Sequence, residues 1–500
     1  MTESVADYDV AVVGAGPTGL ALANLLAGQD IRVVLIDPNK IVCPHPRASH
    51  IDDETMRSFQ TLGLAEAEKG YLVMGGFDIL NESGKRVFGW EMEGGETDQS
   101  WLSDYMFFQP DFEAALRGKL AASADIELML GWELVDFADD GSAVTLSIRN
   151  RGSGVQRSLS AAFLVGCDGA NSFIRQQMSP DMEDFDGSQR SLIIDVFKFK
   201  PAAGLSETKG TIIAGARPFT HIPIVSPFSR FEFMLLGDED LDSYADPTTS
   251  YALLEPWMEP GSYRIMRSDV YLWHARLATG WRTGRVLLAG DAAHQMPPML
   301  GQGMCSGIRD AANLAWKLAL VVRGTAEAGL LDSYEPERAP HVRDLIVEST
   351  RQANAVAAMG QGVTGAKEPA GEVVDRTHSA IGQAIGGVTE WPQAGQLSPQ
   401  PRLRDGRRLD DMVGYAFMVL APGDVLSSVC ESTRQQWDSI GAVLVPIEDT
   451  DLSGWLERHE VEGVLVRPDR YVFAGFRSVD QLEAATQQLS TAVFGKEMQG

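Results

Sequence analysis

The chain has 500 residues, 44% hydrophobic and 22% charged, with a formal net charge of -27. That length exceeds what one core usually holds, so two or three domains are expected, and the acidity disfavours nucleic acid and anionic lipid surfaces as partners. Its four cysteines, Cys43, Cys167, Cys305 and Cys430, form no CxxC pair, which argues against a zinc or other metal site, a redox dithiol and a disulfide framework. The N-terminus lacks a basic stretch and no apolar run reaches the ~18 residues of a membrane span, so a cytoplasmic protein with no membrane partner is expected.

The first pattern in the chain, Asp9 to Asp37, reads as strand, glycine turn, helix, strand and acid. In a β-α-β nucleotide site Gly14 permits the tight turn, Gly16 lets the backbone approach a pyrophosphate, and Gly19 allows close helix-strand packing. Pro17 and Thr18 open the helix, whose N-terminal N–H groups face the phosphates. Asp37 follows the last glycine by eighteen residues, where a carboxylate accepts ribose hydroxyls. A lone GxGxxG is weak evidence, but this one has the strand, helix and acid that give it meaning.

After Asp37 a loop rich in Pro and His carries Arg47 and His50 and turns into an amphipathic helix at about Asp53, where acids suit a helix N-terminus. A surface arginine is the plain reading of Arg47, yet one short connection from the nucleotide strand it is placed to meet a phosphate or flavin edge. Residues from about Met74 to Met92 resemble strands of an inserted sheet. Gln109 then stands at the entrance of a helix, and the strand patterns that follow, IELMLGWELVDFADD and AVTLSIRN, suggest a β-meander excursion.

At Ala162 a buried strand returns and ends in Asp168-Gly169, a carboxylate at the carboxyl end of a strand, where ligands bind in α/β sheets. Further strand patterns from Leu192 to Tyr271, rich in Phe, Tyr, Met and Ile, suit a substrate-covering sheet, and His221 lies among them. A second strong signal is GRVLLAGDAAHQMPPMLGQGMCSGIRDAANLAWKLALVVRG. A strand delivers Gly290-Asp291, a loop with Pro298, Gly301, Gln302 and Gly303 follows, and a long helix begins near Met304, offering free N–H donors and a positive dipole end to an anion. Residues 360 to 400 read as a mobile connection or a loose lid, and beyond them strand and helix alternate in a small α/β domain that is expected to be dispensable for the chemical step.

GAGPTG, DGANSFIR and GDAAHQMPPMLGQGMCSGIRDAANLAWKLA together resemble the single-component FAD-dependent aromatic hydroxylases related to p-hydroxybenzoate hydroxylase, from Asp9 to about Arg343. PRASHIDDETMR and RFEFMLL are most similar to the 3-(3-hydroxyphenyl)propionate hydroxylase branch. The resemblance implies an α/β fold: a Rossmann-like FAD-binding domain (1–75, 99–180 and 275–365), an inserted substrate-binding sheet (76–98 and 181–274), a linker (366–399), and a C-terminal thioredoxin-like domain (400–500) without CxxC. It implies that Gly14, Gly16, Pro17, Thr18, Gly19, Asp37, Arg47, Gln109, Asp168 and Asp291 contact FAD, and that Pro298, Gly301, Gln302, Gly303 and Met304 frame the flavin and the oxygen site. The chain departs from many relatives at Cys305, where they have Asn, and at His221, where Tyr is expected.

The implied activity is hydroxylation of a phenolic or related aromatic substrate with NADH or NADPH and O2, through a flavin C4a-hydroperoxide, with the protein excluding water and orienting the ring. The resemblance also implies that the nicotinamide nucleotide reduces the flavin from a transient surface position. A homodimer remains one open assembly. A phenolate reacts better than a phenol, so a base is expected, and His221 is the first choice, with His50 second. The alternative for His221 is a half-buried sheet histidine bonded to a backbone carbonyl. Rival functions are a flavin-dependent halogenase, against which the lack of a WxWxIP stretch counts, and a non-catalytic flavin-binding protein, against which the intact Gly290 to Gly303 loop counts.

Overall fold

The computed structural model describes residues 6–92, 94–237, 239, 241–360, 380–382 and 391–494. Most of the expected connection, 361–379 and 383–390, lies outside the described residues.

Strand β1 (Tyr8–Val13), helix α1 (Pro17–Ala27) and strand β2 (Val33–Asp37) open the chain. Pro17 pre-sets the first helical turn, and the Leu and Ala residues that follow are buried against their neighbours. The two strands are central in a parallel ladder that runs Ile126–Leu130, β2, β1, Gln156–Gly166, Val286–Leu288. The segment Ile126–Leu130 therefore belongs to the nucleotide-type sheet itself; only Trp132–Asp139 and Val144–Asn150 make the expected antiparallel excursion, hung on Gln156–Gly166. A short strand His50–Asp52 leads into α2 (Asp53–Thr61), and α3 (Gln109–Ala121) packs beside α1. The six-residue α4 (Phe173–Met178) closes the turn after Asp168.

A separate seven-stranded sheet lies over the cavity, in the order Tyr263–Trp273, Gln189–Lys198, Phe228–Met234, Phe219–Pro223, Gly210–Ala214, Gly76–Asn81, Arg86–Glu91. Its far face is apolar: Leu192, Ile194, Val196, Phe219, Phe231 and Phe233 form a core with α5 (Pro247–Leu254). Helix α6 (Gly303–Val322) then runs between two cores. Ile308, Ala311, Leu314 and Leu318 join the core of the parallel sheet, while Trp316 and Leu320 join that of the C-terminal unit. A helix apolar on both sides is a buried helix, as α6 is.

The long α7 (Tyr334–Gly360) packs against it. The C-terminal unit carries four strands in the order Val443–Pro446, Met418–Ala421, Gly463–Val466, Val472–Phe476, the first pair parallel and the rest antiparallel.

Candidate active site

A cavity of about 830 Å³ lies between the carboxyl ends of the parallel strands and the near face of the seven-stranded sheet. Its floor begins at the first glycine turn. Gly14 has φ +107°, and a Cβ there would fall 2.2 Å from the Cys167 carbonyl oxygen; only glycine permits the two strand ends to approach so closely. At Gly19 a Cβ would fall 1.9 Å from the Gly14 carbonyl oxygen, so this residue serves packing and does not line the cavity. Gly16 differs: among the described residues the heavy atom near its Cβ position is Arg47 Nη2, at 3.3 Å. Its backbone faces open space under a guanidinium, and α1 has no side chain capping its first turn. That is a cradle of free N–H groups beside a cation, the arrangement that holds a pyrophosphate.

Pro17 and Thr18 line the same end, and Thr18 Oγ1 wedges between Gly290 and Gly307, where α1 meets α6. Asp37 is buried at the wall, its Oδ2 accepting from the Ala15 N–H at 2.7 Å and its Oδ1 from the Asn39 N–H at 2.7 Å. Asp37 also lines the cavity. Arg117, unremarked in the sequence, also lines this end. Its Nη2 donates to the Ala15 carbonyl at 3.3 Å, and among the described residues its Nε is buried with no hydrogen-bond partner.

Arg47 is held from behind. Gln109 Oε1 accepts from the Arg47 and Ala48 N–H groups at 2.9 and 2.6 Å, and Gln109 Nε2 donates to Glu113 at 2.6 Å. Thus Gln109 clamps the Arg47 loop as well as lining the cavity. Asp168 accepts from Ser172 and from the Ile174 N–H at 3.1 Å, and burial raises its pKa despite those bonds. Asp291 is exposed into the cavity, and behind it the buried His294–Asp310 pair (2.7 Å) with Arg338 fixes the Gly290 turn.

Pro298, Gly301, Gly303 and Met304 line the opposite end, at the α6 N-terminus, which likewise has no side-chain cap. Gln302 departs from the expectation: its side chain turns away from the cavity, donating to Asp52 at 2.9 Å and accepting from Arg309 at 2.9 Å. Burial alone would raise the Asp52 carboxyl; the Arg309 guanidinium, with hydrogen bonds from Thr55 and Gln302, outweighs it and holds Asp52 well below the usual carboxylate range. Arg309 also pairs with Glu54 at 2.6 Å, so a buried ionic plinth supports the loop. Cys305, in the first turn of α6, is buried, which pushes its thiol up to about 12 and keeps it neutral.

The two histidines separate. His50 lines the cavity, its Nε2 2.7 Å from Asp104 Oδ1 and its Nδ1 3.5 Å from the Gly301 carbonyl. His221 does not. Along Phe219–Pro223 it is Thr220 and Ile222 that face the cavity, and His221 points into the opposite apolar core, 4.9 Å from the Phe231 ring centroid, with Nε2 3.1 Å from Ser229 Oγ. Burial, with Lys198 nearby, lowers its pKa to about 3. The expectation that His221 is the base is corrected: it lies on the wrong face of its strand, and burial makes it a weak proton acceptor.

The near face of the sheet holds what the sequence reading missed. Arg230 donates to Asp195 at 2.7 Å and to the Arg47 carbonyl at 2.9 Å, and also to the Pro46 carbonyl. Arg267 reaches Asp195 at 2.8 Å. Glu232 stands one step further along the same strand as Arg230, and Ile193, Ile212, Phe77 and Met74 surround this polar row with apolar wall. The signal was the alternation Arg230-Phe231-Glu232-Phe233: two charges on one side of a strand whose other side is core.

Residues 7–349 match the family described as FAD binding domain. The chain belongs to that family. FAD is its cofactor, and the pyrophosphate cradle, the acid at β2 and the orphaned Arg117 donor fit that group. Residues 395–492 match the family described as HcaD C-terminal domain. This flavoprotein is 31% identical to a 3-(3-hydroxy-phenyl)propionate/3-hydroxycinnamic acid hydroxylase of Mycolicibacterium smegmatis, over 97% of this chain and 93% of the relative. It is 32% identical to a probable NADH-specific resorcinol 4-hydroxylase of Rhodococcus jostii, over 97% and 95%. Among solved structures, the flavin-dependent monooxygenase PieE in complex with FAD and substrate superposes with a TM-score of 0.81 at 21% identity, covering 97% of this chain and 98% of that one. Aklavinone-11 hydroxylase with FAD and aklavinone gives 0.77 at 22% identity, covering 97% and 99%. These two share the fold.

Proposed function

We propose that this flavoprotein is an NADH-dependent monooxygenase that hydroxylates a phenolic ring. The single observation carrying the reading is one cavity with two unlike walls. The phosphate cradle and the uncapped α6 N-terminus lie on one side, and an apolar wall with one polar row lies on the other. Relatives named as hydroxylases of 3-hydroxyphenylpropionate and of resorcinol support a phenolic substrate, and the second name supports NADH over NADPH.

When bound, FAD would supply the redox and oxygen-transfer chemistry. The chain's own residues do the rest. Gly14, Gly16, Pro17, Thr18, Arg47 and Arg117 would hold the pyrophosphate, and Asp37 the adenosine ribose. Asp168 and Asp291 would hold the cofactor's hydroxyls, and Pro298, Gly301, Gly303 and Met304 would border the flavin. Free N–H groups at Gly303 and Met304 stabilise a developing anion there by about 0.3–1 kcal/mol, more where water is excluded. Ile193, Ile212, Ile222, Met74 and Phe77 exclude water from the ring's side. In this scheme 7–75, 99–180 and 275–360 form the cofactor domain, 76–98 and 181–274 the substrate sheet, and 400–494 a thioredoxin-like unit without CxxC; the 4-3-1-2 strand order of that unit supports the last assignment. A cytoplasmic location fits the absence, among the described residues, of a helix long and apolar enough to cross a membrane.

A panel of phenols and aromatic acids added to the FAD-loaded protein with NADH tests this. Several phenols should accelerate NADH oxidation without a matching rise in H2O2. Equal NADH oxidation with and without every member would reject the reading.

A further inference from the structure

Glu232 is the one group of the polar row whose place the fold does not explain. Its side chain is only 9% exposed, and it lines the cavity between Ile193 and Thr220, its direct neighbours on the flanking strands. Among the described residues its recorded partner is Arg230, whose Nη1 stands 3.7 Å from Glu232 Oε1, outside hydrogen-bond distance. Arg230 already gives four of its five N–H groups to Asp195 and to the Pro46 and Arg47 carbonyls. A carboxyl removed from water and given no hydrogen bond among the described residues is costly, and such a group is kept where a ligand completes it.

We infer that Glu232 accepts the hydroxyl proton of the phenolic substrate and so is a catalytic residue of the hydroxylation, an assignment that rests on the monooxygenase reading above. The step is balanced: the phenol O–H bond breaks, the proton passes to a Glu232 carboxylate oxygen, and the electron pair stays on the phenol oxygen, where it activates the ring. Charge is conserved within the row. Arg230 and Arg267 carry two positive charges against Asp195 and ionised Glu232; after transfer the second negative charge sits on the substrate instead. A cationic ligand at this position would meet both guanidiniums and is disfavoured. Burial raises the Glu232 pKa, against the pull of Arg230, making it a better base than an exposed glutamate. The other titratable groups facing the row are Asp269 and Tyr271 on the neighbouring edge strand, Arg47, and across the cavity the His50–Asp104 pair. In that pair Asp104 already engages Nε2, and Nδ1 is turned to the Gly301 carbonyl.

The test uses the FAD-loaded protein and its Glu232→Gln and Glu232→Asp variants. Calorimetric binding of resorcinol and of 1,3-dimethoxybenzene to the oxidised protein should show resorcinol favoured by about tenfold or more in the wild type, the ratio expected of a hydrogen bond to a charged acceptor. That preference should shrink severalfold in Glu232→Gln and be partly restored in Glu232→Asp. In turnover, Glu232→Gln should lose about 10²-fold in hydroxylation near neutral pH. It should regain rate as the pH approaches the phenol's own pKa of about 10, with FAD content unchanged. The assignment is overturned by a Glu232→Gln variant with the wild-type binding ratio and pH profile, or by a wild type that binds the diether as well as resorcinol. If no phenol stimulates the wild type, the monooxygenase reading itself fails and takes this assignment with it. Hydroxylation that survives in Glu232→Gln but disappears in His50→Gln would move the role to His50.

Discussion

Because burial holds the pKa of His221 near 3, against 6.5 in an unfolded chain, the folded protein refuses a proton that the unfolded one accepts. Stability from this residue is therefore fully present above pH 6.5 and is lost as pH falls from 6.5 toward 3, at up to ~1.4 kcal/mol per pH unit. His221→Phe should flatten the dependence of the unfolding midpoint on pH between 7 and 5 and leave the pH profile of hydroxylation as it was. A variant with the wild-type pH slope would show that His221 is charged or exposed in the folded state.

At the same scale, Arg309 holds two buried carboxylates, Asp52 and Glu54. Arg309→Met leaves both without their cation and should cost about 3–5 kcal/mol. Chemical denaturation, followed together with FAD affinity, measures it; a loss under 1 kcal/mol would mean that the plinth is not what holds the Gln302 loop.

Among the elements, the loop before α6 makes the clearest division between one glycine and the next. Gly301 sits at φ +65°, and a Cβ there would fall 2.7 Å from His50 Nδ1. Gly303 has an ordinary backbone, and its Cβ would meet only Met296 Cγ at 3.7 Å. Gly301→Ala should thus destabilise by about 1–3 kcal/mol, while Gly303→Ala should stay within about 0.5 kcal/mol; melting of the FAD-free proteins separates them, and equal shifts would contradict the loop geometry.

What the sequence made legible at this scale was local. The GAGPTG turn, its helix and Asp37 carry their signature within thirty residues, and so does the Gly290-Asp291 turn running into α6. Alternation along Phe219–Pro223 was legible too, but alternation has two phases, and nothing within the strand says which one meets the cofactor. A shift of one residue exchanges His221 for Thr220 and Ile222. The Gln302 side chain was misjudged for a related reason: its partners, Asp52 and Arg309, come from segments 250 residues before it and seven after it, and only the fold joins them.

Over the whole molecule, the sequence suggested a C-terminal unit attached by a loose connection and separable from the chemistry. The buried contacts argue otherwise. Tyr471 donates to Glu54 at 2.6 Å, Arg57 pairs with Asp410 at 2.7 Å, and Arg467 joins Glu337, which also holds Lys317 of α6 at 2.6 Å. Trp316 and Leu320 of α6 are part of the C-terminal core. Cutting the chain after residue 394 would take Tyr471, Asp410 and Arg467 away from Glu54, Arg57 and Glu337 and expose one side of α6. The truncated protein should fail to give a cooperative melt and should not retain FAD. A soluble fragment 1–394 with normal flavin reduction would restore the separable unit.

The central claim is that one cavity brings FAD, O2 and a phenolic ring together, and the most direct measurement is the fate of the oxygen atoms. With NADH, the FAD-loaded protein and a stimulating phenol under ¹⁸O2, one labelled atom should appear in the ring of each product molecule, with NADH, O2 and product consumed and formed one to one to one. Unlabelled phenol recovered intact, with the consumed O2 emerging as H2O2, would contradict it.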